Sequence, residues 1–330
     1  MTDRKRDHID LAFQSHMDNA LADTRFFYEP LLSAHPDREL APFDFFGKQL
    51  RTPIWVSSMT GGTEKAAKIN LNLARACAQF GMGMGLGSCR SLIDSKDHFA
   101  DFDMRAVIGD DLPLYANLGI CQIETLIKDQ ALDKVEAMLH NLRADGLIVH
   151  INPMQESLQP EGDVLRRSPI EILQELLEKL HVPLIVKEVG QGMGPKSLEA
   201  LLKLPLQALE FGAFGGTNFA KIELLRHPDK EGQLLDALSH IGHNADEMLK
   251  WVNDIVKTNT SIQCKELIIS GGIDSCLDGY YLMQKSELPA IYGQASALLK
   301  HAQGEYTELE YYIRNQIRGL QLAEAYLQVR

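Results

Sequence analysis

The chain has 330 residues, of which 45% are hydrophobic and 24% are charged, so it can bury a large core as two ordinary domains or as one large barrel. Its net charge of −12 argues against general nucleic-acid binding, which requires a basic surface that displaces counterions. No apolar run approaches the roughly 18 residues of a membrane span, and the N-terminus has no apolar stretch behind its basic residues, so we expect a protein that does not enter a membrane.

The five cysteines are scattered along the chain and form no Cys-x-x-Cys pair. Their odd number and their spacing indicate neither a zinc site nor a disulfide framework. We therefore expect a soluble protein of the reducing cytoplasm.

Residues 1–50 are predicted to form an irregular arm that carries a short helix. At 3.6 residues per turn Arg4, Lys5 and His8 lie on one side of that helix, so three potential cations point the same way. The pattern alone favours a solvated basic end. Further along the arm, residues 26–37 are predicted as a loop and residues 40–50 as a hairpin.

From residue 52 onward, short apolar runs that end in glycine or polar loops alternate with helical patterns. One helix is predicted to end at the stop signal Gly81, and another begins at Ser168-Pro169 with Glu171 three residues after the cap. Near-continuous apolar strands that alternate with helices predict a parallel sheet covered on both faces. Eight such units favour a closed (β/α)₈ TIM barrel over an open doubly wound sheet. The strands are predicted within residues 52–62, 81–88, 112–120, 145–153, 182–192, 206–216, 265–273 and 289–296.

The spacing changes once, between strands 6 and 7. Residues 218–263 exceed what one connecting helix requires, which predicts an insertion at the active face of the barrel. A C-terminal helix is predicted over residues 306–328. Because no linker appears, we expect one domain over residues 1–330.

The stretch LIVHINPMQESLQPEGD (147–163) begins as buried strand 4 and then becomes polar. An imidazole, two amides and a carboxylate follow within seven positions, as His150, Asn152, Gln155 and Glu156. Burying such groups without partners costs roughly 1–3 kcal/mol each. Taken alone, the stretch is as consistent with a hydrogen-bonded loop core as with a functional site.

The other strand ends provide mostly hydroxyls, amides and glycines, together with one lysine. In a barrel of this kind the reactive groups lie in the loops that follow the strands. A lysine among amides and glycines predicts a pocket for a flat ring, and bare N–H groups on strands 7 and 8 suit a phosphate. The candidates are Ser57, Ser58, Met59 and Thr60 after strand 1, Ser88 and Arg90 after strand 2, Asn117 on strand 3, Lys187 and Glu188 on strand 5, Thr217 after strand 6, Gly271 and Gly272 after strand 7, and Gln294 and Ala295 after strand 8.

Seven motifs, in this order, resemble those of type 2 isopentenyl-diphosphate isomerase. They are RKxxH (4–8), SSMTGG (57–62), GSxR (87–90), HINPMQE with QPEGD (150–163), VKEVGQG (186–192), GGT (215–217) and SGGI (270–273). The HxNxxQE block followed by QPEGD is specific, because it is not a general flavin-barrel pattern. Beyond residue 273 the likeness thins, and Asp274 stands where the family often has arginine.

The resemblance implies an FMN-dependent barrel that interconverts isopentenyl and dimethylallyl diphosphate. Reduced FMN would carry the proton through its ring nitrogen N5 without net oxidation, and NADPH would serve only to reduce the flavin first. Gln155 would border the allylic carbon and orient the substrate. The flavin contacts implied are Ser58, Met59, Thr60, Ser88, Asn117, Lys187 and Thr217, with Gly271, Gly272, Gln294 and Ala295 near the phosphate.

Diphosphate requires positive charge, which the net charge of −12 does not supply, so we expect a local supply from Arg4, Lys5, His8, Arg90 and His150. By the resemblance, Mg²⁺ would be held by Glu156, and a homotetramer or homo-octamer is implied. The substrate contacts expected are Arg4, Lys5, His8, Ser88, Arg90, His150 and Asn152, in addition to Gln155. Arg90 is the favoured phosphate ligand, because its planar guanidinium group can donate two parallel hydrogen bonds to phosphate oxygens.

Two alternatives remain open. An FMN-dependent oxidase or dehydrogenase of a 2-hydroxy acid shares the barrel and the flavin, but its pattern has histidine and arginine around a late glycine pair, and SGGIDS (270–275) has neither. An inactive flavin-binding barrel is the other alternative. The intact pair of Gln155 and Glu156 argues against it.

Overall fold

Eight short parallel strands close into a barrel in the computed structural model, which describes residues 4–36, 39–58, 64–226 and 234–330. The strands are β1 Ile54–Val56, β2 Gly83–Ser88, β3 Leu114–Gly119, β4 Gly146–Ile151, β5 Leu184–Glu188, β6 Ala208–Glu210, β7 Glu266–Ser270 and β8 Ala290–Gln294. Their order around the barrel is β7-β8-β1-β2-β3-β4-β5-β6, and β6 pairs with β7 to close it. The TIM barrel expected from the sequence is confirmed.

Helices connect the barrel strands and cover their outer faces. The helix that follows Ser168 has the predicted capping box, in which the Glu171 carboxylate accepts the Ser168 N–H at 3.0 Å. Gly81 directly follows the helix Glu64–Phe80 and has a φ of 68°, as expected for a helix stop. The α-helices whose bounds lie within the described residues are Arg4–Leu11, Glu64–Phe80, Phe99–Phe102, Arg105–Ile108, Ile120–Lys128, Asp133–Leu142, Pro153–Leu158, Pro169–Lys179, Pro195–Leu202, Phe219–Arg226, Ala245–Thr258, Cys276–Lys285, Ser296–Ala302 and Tyr306–Tyr326. Short 3₁₀ helices lie at Asn19–Leu21, Arg90–Leu92 and Asp236–His240.

Aromatic side chains fill the amino-terminal end of the barrel. The predicted hairpin is present, with strands Phe43–Phe45 and Lys48–Leu50, and its turn brings Phe46 within 5.3 Å of both Trp55 and Tyr115 between ring centroids. Trp55 is fully buried inside the barrel. This end is therefore packed, and the carboxyl end is left for a ligand.

The segment predicted as loop over residues 26–37 contains a strand. Phe26–Tyr28 pairs antiparallel with Leu327–Val329, which follows the C-terminal helix. The prediction was wrong because the partner strand lies at the other end of the chain, where no local pattern in the arm reveals it. The C-terminal helix itself ends at Tyr326, two residues earlier than predicted.

The insertion between β6 and β7 is largely helical. Within residues 218–263 it contains Phe219–Arg226 and the amphipathic helix Ala245–Thr258, whose buried face includes Met248, Leu249 and Val252. Residues 227–233 lie outside the described ranges. In the part of the chain that the structure covers, no helix has the length and apolar character needed to cross a membrane.

Candidate active site

A cleft opens at the carboxyl ends of β5 to β8, next to the residues that follow β1. Its glycines permit backbone conformations that other residues adopt only with strain. At Gly271, for example, φ is 91° and an added Cβ would lie 2.1 Å from the Ala213 carbonyl oxygen. The lining includes Ser57, Ser58, Lys187, Glu188, Glu210, Gly216, Thr217, Ser270, Gly271, Gly272, Asp274, Gly293, Gln294, Ala295 and Ser296.

Lys187 is a buried cation without a protein partner in the described structure. Only 6% of its surface is exposed, and it forms no hydrogen bond or ion pair with a described residue. Lys187 follows Val186 on β5 and lies in register with His150 on β4 and with Glu210 on β6. An ammonium buried in this way is available to an acceptor atom of a ligand.

His150 is half-buried beside Lys187, and its pKa is lowered to about 3 by removal from solvent and, secondarily, by the positive charge of Lys187. Its Nδ1 lies 2.9 Å from the amide oxygen of Asn117, so Nδ1 carries the proton and donates it. The ring is neutral at pH 7. The sequence-based expectation that His150 supplies positive charge is therefore corrected, and its Nε2 acts as an uncharged acceptor.

Three buried oxygens of the cleft have no hydrogen-bond partner among the described residues. They are Ser57 Oγ, Ser58 Oγ and Glu210 Oε2. Buried polar atoms in folded proteins are nearly always hydrogen-bonded, so such a group of exceptions indicates a ligand. A cation, a carboxylate, two hydroxyls and glycine N–H groups together fit a flavin mononucleotide, which carries ring carbonyls, a polyol chain and a phosphate.

Glu210 was not among the residues predicted from the sequence. It is fully buried at the end of β6, inside the apolar run LQALEFGAFGG (206–216). The available signal was the charge itself, because a carboxylate in the middle of a buried strand is rare unless it is paired or functional.

The remaining flavin candidates differ in how they meet the cleft. Thr217, Gly272 and Ala295 line it. Gln294 also lines it, but its amide is already used within the protein, donating to the Ile273 carbonyl at 3.2 Å and accepting from the Tyr312 hydroxyl at 3.1 Å. Two of the expected contacts do not line the cleft: Ser88 is exposed, and Asn117 is hydrogen-bonded to His150. Met59 and Thr60 lie outside the described residues.

The turn after β4 organises a second polar cluster. The buried Asn152 donates through Nδ2 to Gln155 Oε1 at 3.1 Å and to Glu156 Oε1 at 3.0 Å. The other oxygen of Glu156 accepts the backbone N–H of Asp163 at 2.8 Å. Pro153 at the first position of the helix Pro153–Leu158 fits the start of this short helix.

Glu223, from the insertion helix, completes this cluster and was also missed by the sequence analysis. Its Oε1 accepts a hydrogen bond from Gln155 Nε2 at 3.1 Å, although 68 residues separate the two. Glu223 is 3% exposed, and its other oxygen pairs with Arg226 at 2.5 Å. A local sequence pattern gives no sign of a contact at this separation.

Of the residues expected to bind diphosphate, Arg90 lies beside the cluster and the arm residues are exposed. Arg90 Nη1 pairs with Asp163 at 2.8 Å, and Gln122 donates to the same carboxylate at 3.0 Å. Arg4, Lys5 and His8 are exposed and form no hydrogen bond or ion pair with a described residue.

The residues present fit a magnesium ion that is shared with a phosphate. Across the described ranges, no three histidine, cysteine, aspartate or glutamate residues gather in a way that would hold a metal alone. Glu156 is half-exposed and provides one carboxylate. Mg²⁺ is typically held by one or two carboxylates, with substrate phosphates and water as its other ligands.

Comparison with solved structures shows barrels of similar fold. A mandelate oxidase variant with an FMN adduct aligns over 93% of this chain and 88% of its own, with a TM-score of 0.58 and 12% identity. A flavocytochrome b2 variant with pyruvate bound aligns over 91% of this chain and 72% of its own, with a TM-score of 0.61 and 14% identity. At this identity the likeness concerns the fold.

Sequence relatives are considerably more similar. No protein-family model matches the chain. The isopentenyl-diphosphate delta-isomerase of Rickettsia typhi is 32% identical over 305 residues, which is 91% of this chain and 86% of the relative. The enzyme of the same name from Rickettsia akari is 33% identical over 304 residues, or 91% of this chain and 85% of the relative. With the closed (β/α)₈ barrel and the motifs described above, these matches show that the chain belongs to the type 2 isopentenyl-diphosphate delta-isomerase family of enzymes.

Proposed function

We propose that this protein converts isopentenyl diphosphate to dimethylallyl diphosphate by an allylic proton shift, with FMN and Mg²⁺ bound and NADPH as the reductant of the flavin. The observation that carries the proposal is that Gln155 is fixed between Asn152 and Glu223 on the short helix after β4, while the neighbouring strand ends form a cleft of unpaired polar groups. Oriented amides and a partly closed polar cleft suit a reaction that needs an accurately placed proton donor and acceptor.

Lys187, Ser57, Ser58 and Thr217 would hold the flavin, together with the backbone at Gly271 and Gly272. When bound, reduced FMN supplies the acid and base chemistry for moving a proton on an unactivated alkene. Lys187 provides a fixed positive charge next to the neutral His150. This arrangement favours electron-rich ring atoms over a second cation in the cleft.

Gln155 would orient the substrate beside the flavin. Because Asn152 binds its carbonyl oxygen and Glu223 binds its amide nitrogen, the two ends of the amide are distinguished and the side chain cannot flip freely. Arg90 would bind diphosphate by exchanging its exposed carboxylate partner for phosphate oxygens. Glu156 would bind Mg²⁺ on the same diphosphate.

The arm would complete the binding of the diphosphate. Arg4, Lys5 and His8 belong to one exposed helix and have no partner among the described residues, so their charges are available to an anion.

We also propose that the protein works in the reducing cytoplasm as a homo-oligomer. Its five unpaired thiols fit that compartment.

A 2-hydroxy-acid oxidase is the competing function. Enzymes of that kind are expected to have a histidine base and an arginine that binds the substrate carboxylate, both close to a glycine pair near the last strands of the barrel. The described residues that line the cleft include neither histidine nor arginine, and Asp274 follows the glycine pair. This composition favours the isomerase.

The test is an anaerobic assay of the purified protein with FMN, NADPH, Mg²⁺ and isopentenyl diphosphate. Formation of dimethylallyl diphosphate is expected, and it should require both the flavin and the metal. A protein that binds flavin and forms no product, but oxidises a 2-hydroxy acid, would refute the proposal. A protein that binds flavin and catalyses neither reaction would support the inactive alternative.

A further inference from the structure

Glu210 is the only glutamate of the described cleft lining that has a buried oxygen without a hydrogen-bond partner. None of its surface is exposed. Its Oε1 accepts a hydrogen bond from Ser270 Oγ at 3.2 Å, and Ser270 Oγ in turn accepts the Gly212 N–H at 3.0 Å. The side chain is therefore held in one orientation from β7, with Oε2 unsatisfied.

Neighbouring charges do not account for this arrangement. Lys187 lies in register with Glu210 on the adjacent strand, yet no ion pair joins them within the described structure. By contrast, Glu188, which also lines the cleft, accepts three backbone N–H groups, from Gly190, Gln191 and Gly192, through a single oxygen. Glu188 thus stabilises its own turn, whereas Glu210 has an acceptor atom with no function in the protein alone.

The position of Glu210 along the cleft indicates which part of a ligand it meets. Lys187 on β5 and the glycine-containing loops after β7 and β8 line the cleft on opposite sides of β6, as the strand order β5-β6-β7-β8 requires. In this fold phosphate groups bind at the loops after strands 7 and 8. A ligand with a ring near Lys187 and a phosphate at those loops passes its linking chain over β6 and β7, beside Glu210 and Ser270.

We infer that Glu210 is a cofactor-binding residue whose free oxygen accepts a hydrogen bond from a hydroxyl of the polyol chain of the flavin. The inference rests on the proposed function and specifies one contact within it. A carboxylate accepting from a hydroxyl forms a charge-assisted hydrogen bond, which is shorter and stronger than one between neutral groups. The contact would also satisfy the one unpartnered oxygen of Glu210.

The experiment compares three flavins with Glu210→Gln and Glu210→Met. FMN and riboflavin carry the polyol chain, and lumiflavin has the same ring without it. Binding is followed by quenching of flavin fluorescence, which does not depend on catalysis. Glu266→Gln is the matched control, because Glu266 lies at the start of β7 and its two oxygens are bonded to Phe46 N and Gln207 Nε2, at the opposite end of the barrel.

For Glu210→Met we expect about a ten- to hundredfold loss of affinity for FMN and riboflavin, with lumiflavin unchanged. The Gln variant should lose less, because its amide still forms a neutral hydrogen bond. The thermal midpoint of flavin-free Glu210→Met should equal or exceed that of the wild type, since a buried carboxylate with one unsatisfied oxygen has been removed. Glu266→Gln should bind all three flavins normally.

Equal affinity of wild type and Glu210→Met for FMN would overturn the inference, as would the same loss for lumiflavin as for riboflavin. A lowered midpoint in the flavin-free protein would make Glu210 a structural residue and would equally overturn it. If the wild type bound none of the flavins, the proposed function itself would fail. That outcome is distinct from normal flavin binding in both Glu210 variants.

Discussion

Single residues set the geometry of the candidate active site, and Gln155 is the central example. Its amide is bonded at both ends, to Asn152 through its oxygen and to Glu223 through its nitrogen. The Glu223 carboxylate only accepts, so it takes the amide nitrogen, and the Asn152 amide group then donates to the oxygen. The pair of contacts explains how a residue on a short helix keeps one orientation.

Replacing Gln155 by alanine should lower turnover by about a hundredfold and leave flavin affinity unchanged, because its proposed role is to position the substrate and it does not line the cleft. Steady-state kinetics and a flavin titration measure the two effects. Ser157→Ala is the control, since Ser157 is exposed on the same helix and donates only to the Pro153 carbonyl. An equal loss of flavin affinity in Gln155→Ala would make Gln155 a structural residue.

The lowered pKa of His150 predicts a dependence of stability on pH. The unfolded chain takes up a proton at the ordinary pKa of 6.5, whereas the folded ring stays neutral down to about pH 3. Unfolding therefore binds a proton in this window, and stability falls as the pH falls below 6.5. From His150 alone, the free energy of unfolding should be about 2 kcal/mol lower at pH 5 than at pH 7.5.

Urea unfolding of wild type and His150→Gln at pH 7.5 and pH 5 measures this contribution. The variant should lose about 2 kcal/mol less stability than the wild type between the two pH values. Other titrating groups are common to both proteins and cancel in the comparison. Identical losses would show that His150 is protonated as readily in the folded protein as in the unfolded chain.

At the scale of elements, the loop after the helix Pro153–Leu158 closes tightly on Glu156. An added Cβ at Gly162 would lie 1.9 Å from the Glu156 carbonyl oxygen, while the next residue, Asp163, donates its N–H to the Glu156 carboxylate at 2.8 Å. A side chain at position 162 would therefore move the loop away and release the proposed metal ligand.

Gly162→Ala should raise the Mg²⁺ concentration for half-maximal activity by about tenfold, because an unfixed carboxylate must be ordered when the metal binds. A metal titration of turnover measures the shift. Gly304→Ala is the matched control, since an added Cβ there meets nothing within 4 Å. An unaltered metal titration in Gly162→Ala would rule out the role of this loop.

The arm helix Arg4–Leu11 presents its charges to solvent. Arg6 pairs with Asp10 at 3.7 Å, whereas Lys5 forms no ion pair with a described residue. Lys5→Ala should therefore raise KM for isopentenyl diphosphate several-fold with little change in kcat, and the effect should weaken in high salt. Arg6→Ala serves as the control on the same helix. If the two variants had the same KM, Lys5 would have no specific contact with the diphosphate.

Across the whole barrel, the two ends carry different groups. The carboxyl end carries the cleft, and the amino end carries a partly buried charge cluster around Asp145. This carboxylate accepts from Lys48 at 2.6 Å, from Arg105 at 2.8 Å and from the Leu114 N–H at 2.8 Å. The Arg105 side chain is only 2% exposed, so its charge depends on this partner.

Asp145→Asn should lower the free energy of unfolding by about 3 kcal/mol, because it leaves the buried guanidinium without a counter-ion. Flavin affinity should be unchanged under native conditions. Denaturant unfolding measures the first effect and flavin fluorescence the second. Asp110→Asn, which removes an exposed partner of Arg143, should change stability by less than about 0.5 kcal/mol. Equal effects of the two substitutions would contradict the account of this cluster.

The barrel was predictable because its signals are local. Strand runs, the capping box at Ser168 and the stop at Gly81 each depend on a few neighbouring residues. The pairing of Phe26–Tyr28 with Leu327–Val329 was not predictable, because it joins the two ends of the chain.

The candidate site was predictable where residues follow strands, since the carboxyl ends of parallel strands meet at one end of a barrel. The contact of Glu223 with Gln155 was not predicted, because Glu223 belongs to the insertion and lies 68 residues further along the chain. The neutral state of His150 was not predicted, because its pKa depends on burial and on neighbouring charge, neither of which is visible in a sequence.

A redox-neutral proton shift is tested by the ratio of product formed to reductant consumed. The purified protein is incubated anaerobically with FMN, Mg²⁺, isopentenyl diphosphate and a limiting amount of NADPH, and dimethylallyl diphosphate and NADPH are measured together. We expect product to accumulate far beyond the NADPH consumed, because the flavin is reduced once and then reused. Consumption of one NADPH per product, or flavin reduction without any product, would contradict the account.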